Sequence, residues 1–431
     1  MGLETGGNPS QLEVEQAVVD AFNASHPGIQ LLLEVVPRDQ SWDVLAGQIA
    51  AGQGPDIVGP IQFTTDSRFY GQWLDLAPYV ASTGYDLAGY NPALVSMYQI
   101  DGGLISIPFA VYPSATFFVP ALFDAAGLSY PPRNYGEPYI MPDGTPQEWS
   151  WETLGQVARL LTLDAQGRNA TSAVFDPGNI VQYGYSPAWQ NHPIYIGTFW
   201  GAGSPYRGSA GAYSASIPEA WKAAWQWLYD GIWGTQPFIP DGPANASTLL
   251  NEGNTLASGR IAMTVNNSWY YCCLEDLMAA GKDFEFAALP SYQGQVHGRV
   301  DAYSFRIWRG SQHPEEAFDV LAYLSGPQGA EPLLVGGERL PAYGAVPALP
   351  QLQPAHIAAL TNRFPFVDNW GVLLAGLSYP DVPSADAFVP NYDETWSYLD
   401  EINGWLHYYP GLDLPWLFGL VESDLTDIFN Q

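Results

Sequence analysis

Helix-like and strand-like segments alternate along the first part of this chain, with Gly or Pro residues between them. Residues 11–25 carry apolar side chains at helical spacing, and a His-Pro-Gly breaker separates them from the Leu- and Val-rich segment 29–36. A second predicted helix at 41–51 ends at a glycine, and a short apolar strand at 56–58 follows it. Such alternation is typical of a sheet of mainly parallel strands covered by helices. The predicted fold class is therefore α/β.

Later segments continue this pattern, although loops rich in Pro, Tyr and Gly interrupt it at 129–150 and within 327–395. Apolar periodicity and turn signals predict helices at 73–80, 121–127, 151–163, 218–231, 314–324, 396–409 and 415–429, and strands at 103–110 and 261–265. The helix at 218–231 places Trp221, Trp225 and Leu228 on one face, so we expect these side chains in a core. The chain has 431 residues, a length that suits two domains.

The charge of the chain limits the partners it can have. The net charge is −30, because 44 acidic residues face only 14 Lys and Arg residues. A field of this sign repels nucleic acid and anionic lipid, and the shortage of cations favours a neutral ligand over an anionic one. The two cysteines are adjacent and offer no metal-binding pattern, so neither a metal nor another cofactor is expected.

Aromatic residues are abundant, with 16 Trp, 26 Tyr and 19 Phe. Most of them are expected in cores, where large rings bury much apolar area. The same rings could also pack on the apolar C–H face of a pyranose. The aromatic content therefore admits a carbohydrate site without requiring one.

Seven short motifs occur in the order of a known family across residues 15–330. They are Phe22–Ile29, Gly52–Val58, Trp73–Leu76, Ile107–Phe109 with Phe123–Leu128, Trp151–Leu154 with Leu161–Asp164, Gly259–Trp269, and Ser311–Phe318 with Tyr323–Leu324. Together they resemble the family 1 extracellular solute-binding proteins of bacterial ABC sugar importers, relatives of the maltodextrin-binding protein. The resemblance implies a two-lobed periplasmic-binding-protein-like fold of type II, with hinge-connected lobes built from discontinuous segments.

The family's chain path, mapped onto this sequence, gives lobe one as 1–111 and 266–309 and lobe two as 112–265 and 310–431. The resemblance implies a monomeric binding protein, not an enzyme, that closes on a neutral carbohydrate in the inter-lobe cleft, with an oligosaccharide favoured. Its partners would be the membrane permease subunits of an ABC importer. It would act outside the cytoplasmic membrane, extracellularly or in the periplasm, and we expect the native gene to encode an upstream signal with a lipid-anchored cysteine.

Two candidate site residues come from the resemblance. Trp269 follows the predicted strand at 261–265, where the family places a sugar-stacking Trp after a lobe crossing, and packing is its alternative role. Tyr112 lies where the maltodextrin-binding relative has a polar sugar contact.

Other candidates come from the residues themselves. Asn266 and Asn267 could hydrogen-bond sugar hydroxyls or cap the turn. Trp200 lies in a Gly-flanked loop and could stack on a sugar or pack in the core. Further candidates follow the strand at 56–58, where open α/β sheets place ligands, or are more weakly indicated aromatic residues. The first set is Gln62, Thr64, Asp66 and Arg68, whose Asp–Arg pair could grip vicinal hydroxyls or form a surface ion pair, and the second is Tyr303, Trp370 and Tyr379.

Cys272 and Cys273 leave two alternatives open. They could be buried thiols, or they could form a vicinal disulfide beside Trp269 if the protein works in an oxidising compartment.

Two other function classes compete with transport. A secreted glycoside hydrolase needs a pair of carboxylates across the scissile bond, and no local pair in the sequence indicates one. A carbohydrate-binding module without a transport role is disfavoured by the α/β pattern.

Overall fold

The computed structural model describes residues 9–37, 39–201, 203–209, 212–336, 341–381 and 389–431. Within these ranges helices alternate with short strands, which confirms the α/β class. The α-helices are α1 (Pro9–Ser25), α2 (Ser41–Ala50), α3 (Phe63–Arg68), α4 (Ala77–Thr83), α5 (Pro92–Met97), α6 (Pro120–Ala126), α7 (Trp151–Leu161), α8 (Pro193–Thr198), α9 (Glu219–Trp233), α10 (Gly242–Asn245), α11 (Glu275–Ala279), α12 (Pro314–Ser325), α13 (Pro327–Leu334), α14 (Gln353–Arg363), α15 (Gly371–Gly376), α16 (Tyr392–Tyr408) and α17 (Leu414–Phe429).

The strands are short, apart from three that carry most of the sheet pairing. They are β1 (Ile57–Ile61), β2 (Gln99–Ile100), β3 (Gly103–Leu104), β4 (Ala110–Phe118), β5 (Tyr139–Ile140), β6 (Pro146–Gln147), β7 (Leu163–Asp164), β8 (Ile180–Tyr185), β9 (Tyr206–Ser209), β10 (Ala212–Ala215), β11 (Ile261–Asn267), β12 (Glu285–Ala287), β13 (Ser291–Tyr292), β14 (Gln295–Val296), β15 (Val300–Ile307) and β16 (Val346–Pro347). Six 3₁₀ segments accompany them in the described ranges: Leu87–Gly89, Ala188–Gln190, Thr248–Gly253, Leu256–Ser258, Ser268–Cys273 and Pro350–Leu352.

Helices with a clear apolar stripe or clear end signals form where they were predicted. Helix α9 buries Trp221, Trp225 and Leu228 at 1% exposure or less, which confirms these residues as core. Helix α6 begins at a proline and ends at Gly127, whose φ of 65° is the left-handed conformation that glycine adopts at helix ends.

The predicted strand at 29–36 is wrong. This segment is extended but contributes only an isolated bridge, at Val35. The side chain of Asn23 forms hydrogen bonds with both backbone groups of Leu31. It donates to the Leu31 carbonyl at 2.9 Å and accepts from the Leu31 N–H at 2.7 Å. Because those groups are already bonded, Leu31 cannot offer them to a neighbouring strand.

Two further predictions need correction. The helix predicted at 73–80 begins only at Ala77, because Trp73 forms a β-bridge with Trp308. The strand predicted at 103–110 is limited to β3 at Gly103–Leu104, and β4 begins only at Ala110 and runs on through Pro113. Pro113 is tolerated because the ladders with β16 and β11 lie on either side of it, so its missing N–H is not needed there.

The chain divides into two compact units. The first unit contains Met1–Tyr112 and Asp301–Arg363, and the second contains Pro113–Val300 and Phe364–Gln431. These bounds differ from the predicted lobes, which assigned 266–300 to lobe one and 310–363 to lobe two.

Strand pairing explains the difference. Strands β11 and β12 both pair with residues 114–118 of β4, which keeps the chain in the second unit beyond Asn267. Strand β15 then pairs with β1 in the first unit, and β16 pairs with the first residues of β4. The chain therefore stays in the first unit through α14.

A buried ion pair joins α3 to β15 inside the first unit. Arg306 donates from Nε and Nη2 to the two carboxylate oxygens of Asp66 at 2.8 and 2.6 Å, and both side chains are at most 1% exposed. The guanidinium also lies 4.9 Å from the ring centre of Tyr98. Burial raises the pKa of Asp66, and the charge of Arg306 offsets part of that rise.

Breaking this pair from one side should destabilise the protein strongly. We expect Asp66→Ala to lower the free energy of unfolding by about 3–5 kcal/mol, because it leaves the Arg306 charge buried without its carboxylate. The double replacement of Asp66 by Leu and Arg306 by Met should recover most of that loss. Urea unfolding followed by circular dichroism measures both changes.

The matched control is Lys222→Ala, which removes a pair with the exposed Glu219 at 3.0 Å. Its cost should stay below about 1 kcal/mol. Equal losses for Asp66→Ala and Lys222→Ala would contradict the importance given to the buried pair.

Candidate functional site

Two parallel strands of the second unit end side by side. Strands β8 and β11 are parallel neighbours, with Ile261 opposite Tyr183 and Met263 opposite Tyr185. Strand β11 continues to Asn267, beyond the end of β8, and all seven of its residues are buried. Open α/β sheets bind ligands at the carboxyl ends of their strands, so the segments that leave β8 and β11 define the candidate site.

Two tryptophans stand on these segments. The indole planes of Trp189 and Trp269 lie within 12° of parallel, with ring centres 6.1 Å apart. Trp189 is 43% exposed and Trp269 is half-buried. We call this pair the tryptophan surface. It offers flat apolar faces at the strand ends.

Tyr270 packs against both indoles of the tryptophan surface. Its ring meets both indoles edge-on, at 82° to Trp189 and 88° to Trp269. Tyr270 is fully buried, and its hydroxyl donates to Asn254 Oδ1 at 2.8 Å. Ala188, which precedes Trp189, has a φ of 46°, a conformation that is uncommon outside glycine and marks a backbone held by its surroundings.

Polar side chains lie directly before Trp269. Asn266 and Asn267 are fully buried, and Asn266 Oδ1 accepts from the backbone N–H of Asn267 at 2.8 Å. Within the described part of the chain, Asn266 Nδ2 and Ser268 Oγ have no hydrogen-bond partner. Buried polar atoms are normally bonded, so these two call for a water molecule or a ligand group.

Arg299 ties the two strand ends together. Its Nη1 donates to Asn267 Oδ1 at 2.9 Å and to Gln190 Oε1 at 3.4 Å. Its guanidinium lies 3.7 Å from the ring centre of Tyr195, and the residue is only 4% exposed. Arg299 is therefore a positioning residue, because it fixes groups that follow both strands.

His192 is the titratable neighbour of this cluster. Its ring stacks on Trp396 with centres 3.8 Å apart and planes 5° apart. The pKa of His192 is lowered to about 3, mainly by burial and to a smaller extent by the positive charge of Arg299, while a backbone hydrogen bond opposes the shift. The imidazole is therefore neutral at neutral pH and adds no charge to the site.

A smaller polar group forms in the first unit, at the end of β1. Tyr303 donates from its hydroxyl to Gln62 Oε1 at 3.3 Å, and its ring meets Tyr112 edge-on at 5.6 Å. Three of the predicted site residues thus lie together here. Thr64 lies on α3, and its side chain is outside the described residues.

The prediction that Asp66 and Arg68 together bind vicinal sugar hydroxyls is wrong. Asp66 is buried against Arg306, and the Arg68 guanidinium lies 5.1 Å from the ring centre of Trp42 instead. A carboxylate this deeply buried cannot reach a hydroxyl outside the protein interior.

Contacts place two more predicted residues in packing roles. Trp200 is 6% exposed and stacks on Trp151 at 5.5 Å. Trp370 is 3% exposed and packs against Phe286. Tyr379 is half-buried, and its ring lies 4.6 Å from that of Tyr135.

Sequence reasoning missed the other half of the site. Trp189, Gln190 and His192 all follow β8, and that strand was not predicted. Its sequence, Ile-Val-Gln-Tyr-Gly-Tyr, alternates over only five residues and contains Gly184, a residue that is depleted in strands. Recognising β8 as a parallel neighbour of β11 would have indicated the residues after it.

Comparisons with known proteins agree with the motifs. The profile of the family described as bacterial extracellular solute-binding protein matches residues 17–359. A protein of Brucella abortus that is described only as a binding protein is 22% identical over 330 residues, covering 72% of this chain and 67% of its own. Among the described residues, no helix has the length and hydropathy needed to cross a bilayer.

Solved structures share the fold. The sugar-binding protein MalE from Xanthomonas citri is similar with a TM-score of 0.72 and 15% identity, covering 100% of this chain and 97% of that one. The cyclic alpha-maltosyl-1,6-maltose binding protein from Arthrobacter globiformis is similar with a TM-score of 0.69 and 15% identity, covering 99% and 97%. The fold is therefore that of the two-lobed solute-binding proteins.

Acid should destabilise this protein partly through His192. The unfolded chain takes up a proton on this residue near pH 6.5, whereas the folded chain does so only near pH 3. The contribution of His192 to stability is therefore complete above about pH 6.5 and is lost as the pH falls below that value. His192 is the N-cap of α8, where its side chain accepts a hydrogen bond from the Ile194 N–H, and Asn can also accept this bond but does not titrate. We therefore expect the melting temperature of His192→Asn to fall less between pH 7 and pH 5 than that of the original chain.

Burial also lowers the pKa of His356 and His407, so the variant should keep part of the pH dependence. His313→Asn, at an exposed position, is the control. Identical pH slopes for His192→Asn and the original chain would rule out this contribution.

Proposed function

The chain belongs to the bacterial extracellular solute-binding protein family, and we propose that it binds a neutral carbohydrate for delivery to an ABC importer. The tryptophan surface is the observation that carries the carbohydrate assignment. Two nearly parallel indoles at the ends of parallel strands offer the apolar faces on which pyranose rings pack. The buried amide and hydroxyl groups beside them can bond sugar hydroxyls.

Charge supports a neutral ligand. The chain has few cations for an anionic ligand, and Arg299 is held inside the second unit by Asn267, Gln190 and Tyr195. The two structural neighbours named above bind sugars according to their descriptions, which supports the same ligand class.

The proposal covers binding and not catalysis, as in the rest of the family. Location outside the cytoplasmic membrane follows from the family, whereas the lipid anchor, the monomeric state, the permease partners and the hinge closure remain predictions.

A panel of mono- and oligosaccharides should identify the ligand. A ligand that binds only the folded chain raises the free energy of unfolding, by about 2.7 kcal/mol at a concentration 100 times Kd, and the melting temperature rises with it. We expect at least one neutral oligosaccharide to give a concentration-dependent rise. Incubation with the same sugar should release no new reducing ends, and their release would favour the hydrolase alternative. A rise with anionic solutes alone would contradict the proposal.

Removing one indole from the tryptophan surface should weaken binding without unfolding the protein. We expect Trp269→Ala to cost about 2–4 kcal/mol of binding free energy, or roughly 30- to 1,000-fold in Kd, because stacking residues act as binding hot spots. Isothermal titration calorimetry with the sugar found by the panel measures this change.

The matched control is Trp416→Ala, which removes an indole that is 56% exposed on α17, a helix outside the segments that leave β8 and β11. Its affinity should equal that of the original chain. Unchanged affinity in a folded Trp269→Ala protein would assign Trp269 to packing.

A further inference from the structure

The two cysteines close the 3₁₀ segment that begins with Ser268 and carries Trp269. Cys272 is exposed and Cys273 is half-buried, so the alternative of two buried thiols is wrong. The two sulfur atoms are 2.8 Å apart and are not joined by a covalent bond. A disulfide bond is about 2.05 Å long, so bond formation requires a shift of less than ~1 Å.

We propose that Cys272 and Cys273 are a reversible dithiol–disulfide site, and that closing the bridge strengthens ligand binding at the tryptophan surface. The first half stands on the thiols alone. The second half rests on the proposed function.

The surroundings hold the segment in a reactive arrangement. Asn254 Nδ2 donates to the carbonyl of Cys273 at 2.7 Å, and the hydroxyl of Tyr270 donates to the same Asn254 side chain at 2.8 Å. Asn254 thereby anchors the segment through Tyr270 and Cys273, and Cys272 between them is exposed.

Cys273 is the attacking group. The hydrogen bond between the two sulfur atoms lowers the pKa of Cys273 to about 7, although burial and the charge of Glu275 oppose the shift. A large fraction of Cys273 is therefore thiolate at neutral pH, and the thiolate is the reactive form.

A small-molecule disulfide of the oxidising extracellular space serves as the oxidant. The Cys273 thiolate attacks one of its sulfurs, forms a mixed disulfide and releases the first thiolate, which takes the proton of the Cys272 thiol. The Cys272 thiolate then attacks Cys273 Sγ and releases the second thiolate, which is protonated from water. Two protein thiols are oxidised, and one external disulfide is reduced to two thiols.

Adjacency makes the bridge easy to reverse. Neighbouring Cα atoms are about 3.8 Å apart across a trans peptide, shorter than the usual span of about 4.4–6.8 Å in disulfides. Bridges outside the usual geometry are more readily reduced, which is typical of labile or regulatory disulfides.

The geometry of the segment links the bridge to Trp269. A 3₁₀ helix has three residues per turn, so residues three apart lie one above the other. Trp269 and Cys272 have this spacing and share one edge of the segment. Closing the ring restricts the turn that presents the indole, and pre-ordering a binding group improves affinity.

The thiol half is tested by equilibrating the intact protein with mixtures of reduced and oxidised glutathione, followed by acid quenching, denaturation, alkylation and mass spectrometry. The expected oxidised product has lost two hydrogen atoms and takes up no alkyl group, whereas the reduced product takes up two. The double variant Cys272→Ser with Cys273→Ser should show no change. Two alkylated thiols at every ratio, or stable glutathione adducts in place of the bridge, would overturn the proposal.

The binding half is tested by calorimetry of the oxidised and reduced forms with the sugar found by the panel. We expect about 3- to 10-fold tighter binding by the oxidised form, and no redox effect in the double Ser variant. Equal affinities would refute the link to Trp269. If no sugar binds either form, the proposed function and this second half fail together, while mass spectrometry still decides the thiol half.

Discussion

The pairing of β11 with two different partners is the constraint on which the candidate site depends. This strand is antiparallel to β4 on one side and parallel to β8 on the other, and every one of its residues is buried. The ladder with β8 brings the ends of both strands to the same edge. Trp189 and Trp269, 80 positions apart in the sequence, meet there because of it.

Two buried guanidinium groups organise the units in different ways. Arg306 is matched by a carboxylate and two short hydrogen bonds, which makes it a structural anchor. Arg299 is bound by amide oxygens and an aromatic face, so it arranges polar side chains next to the tryptophan surface. The charge of Arg306 is neutralised locally, whereas the charge of Arg299 adds a small part to the lowering of the His192 pKa that burial mainly causes.

Much of the fold was predictable from local patterns, and the site only in part. Apolar periodicity sufficed for α9, whose stripe of Trp and Leu is buried as expected. It failed where a side chain competes for backbone groups, as Asn23 does at Leu31. Sequence proximity suggested that Asp66 would pair with Arg68, but burial favoured Arg306, 240 residues away. Trp269 was proposed because the family resemblance places a sugar-stacking Trp after the predicted strand at 261–265, whereas Trp189 follows β8, a strand that was not predicted.

The contrast between an acidic surface and the buried Asp66–Arg306 pair determines how the protein responds to ionic strength. Arg299 and Arg306 are withdrawn from the surface, but so are six acidic residues of the described chain, and the exterior stays strongly acidic. Repulsion among exposed carboxylates is screened by salt over about 8 Å at physiological ionic strength, whereas buried pairs are screened much less. Added salt therefore relieves the unfavourable part of the electrostatics and leaves the favourable part largely intact.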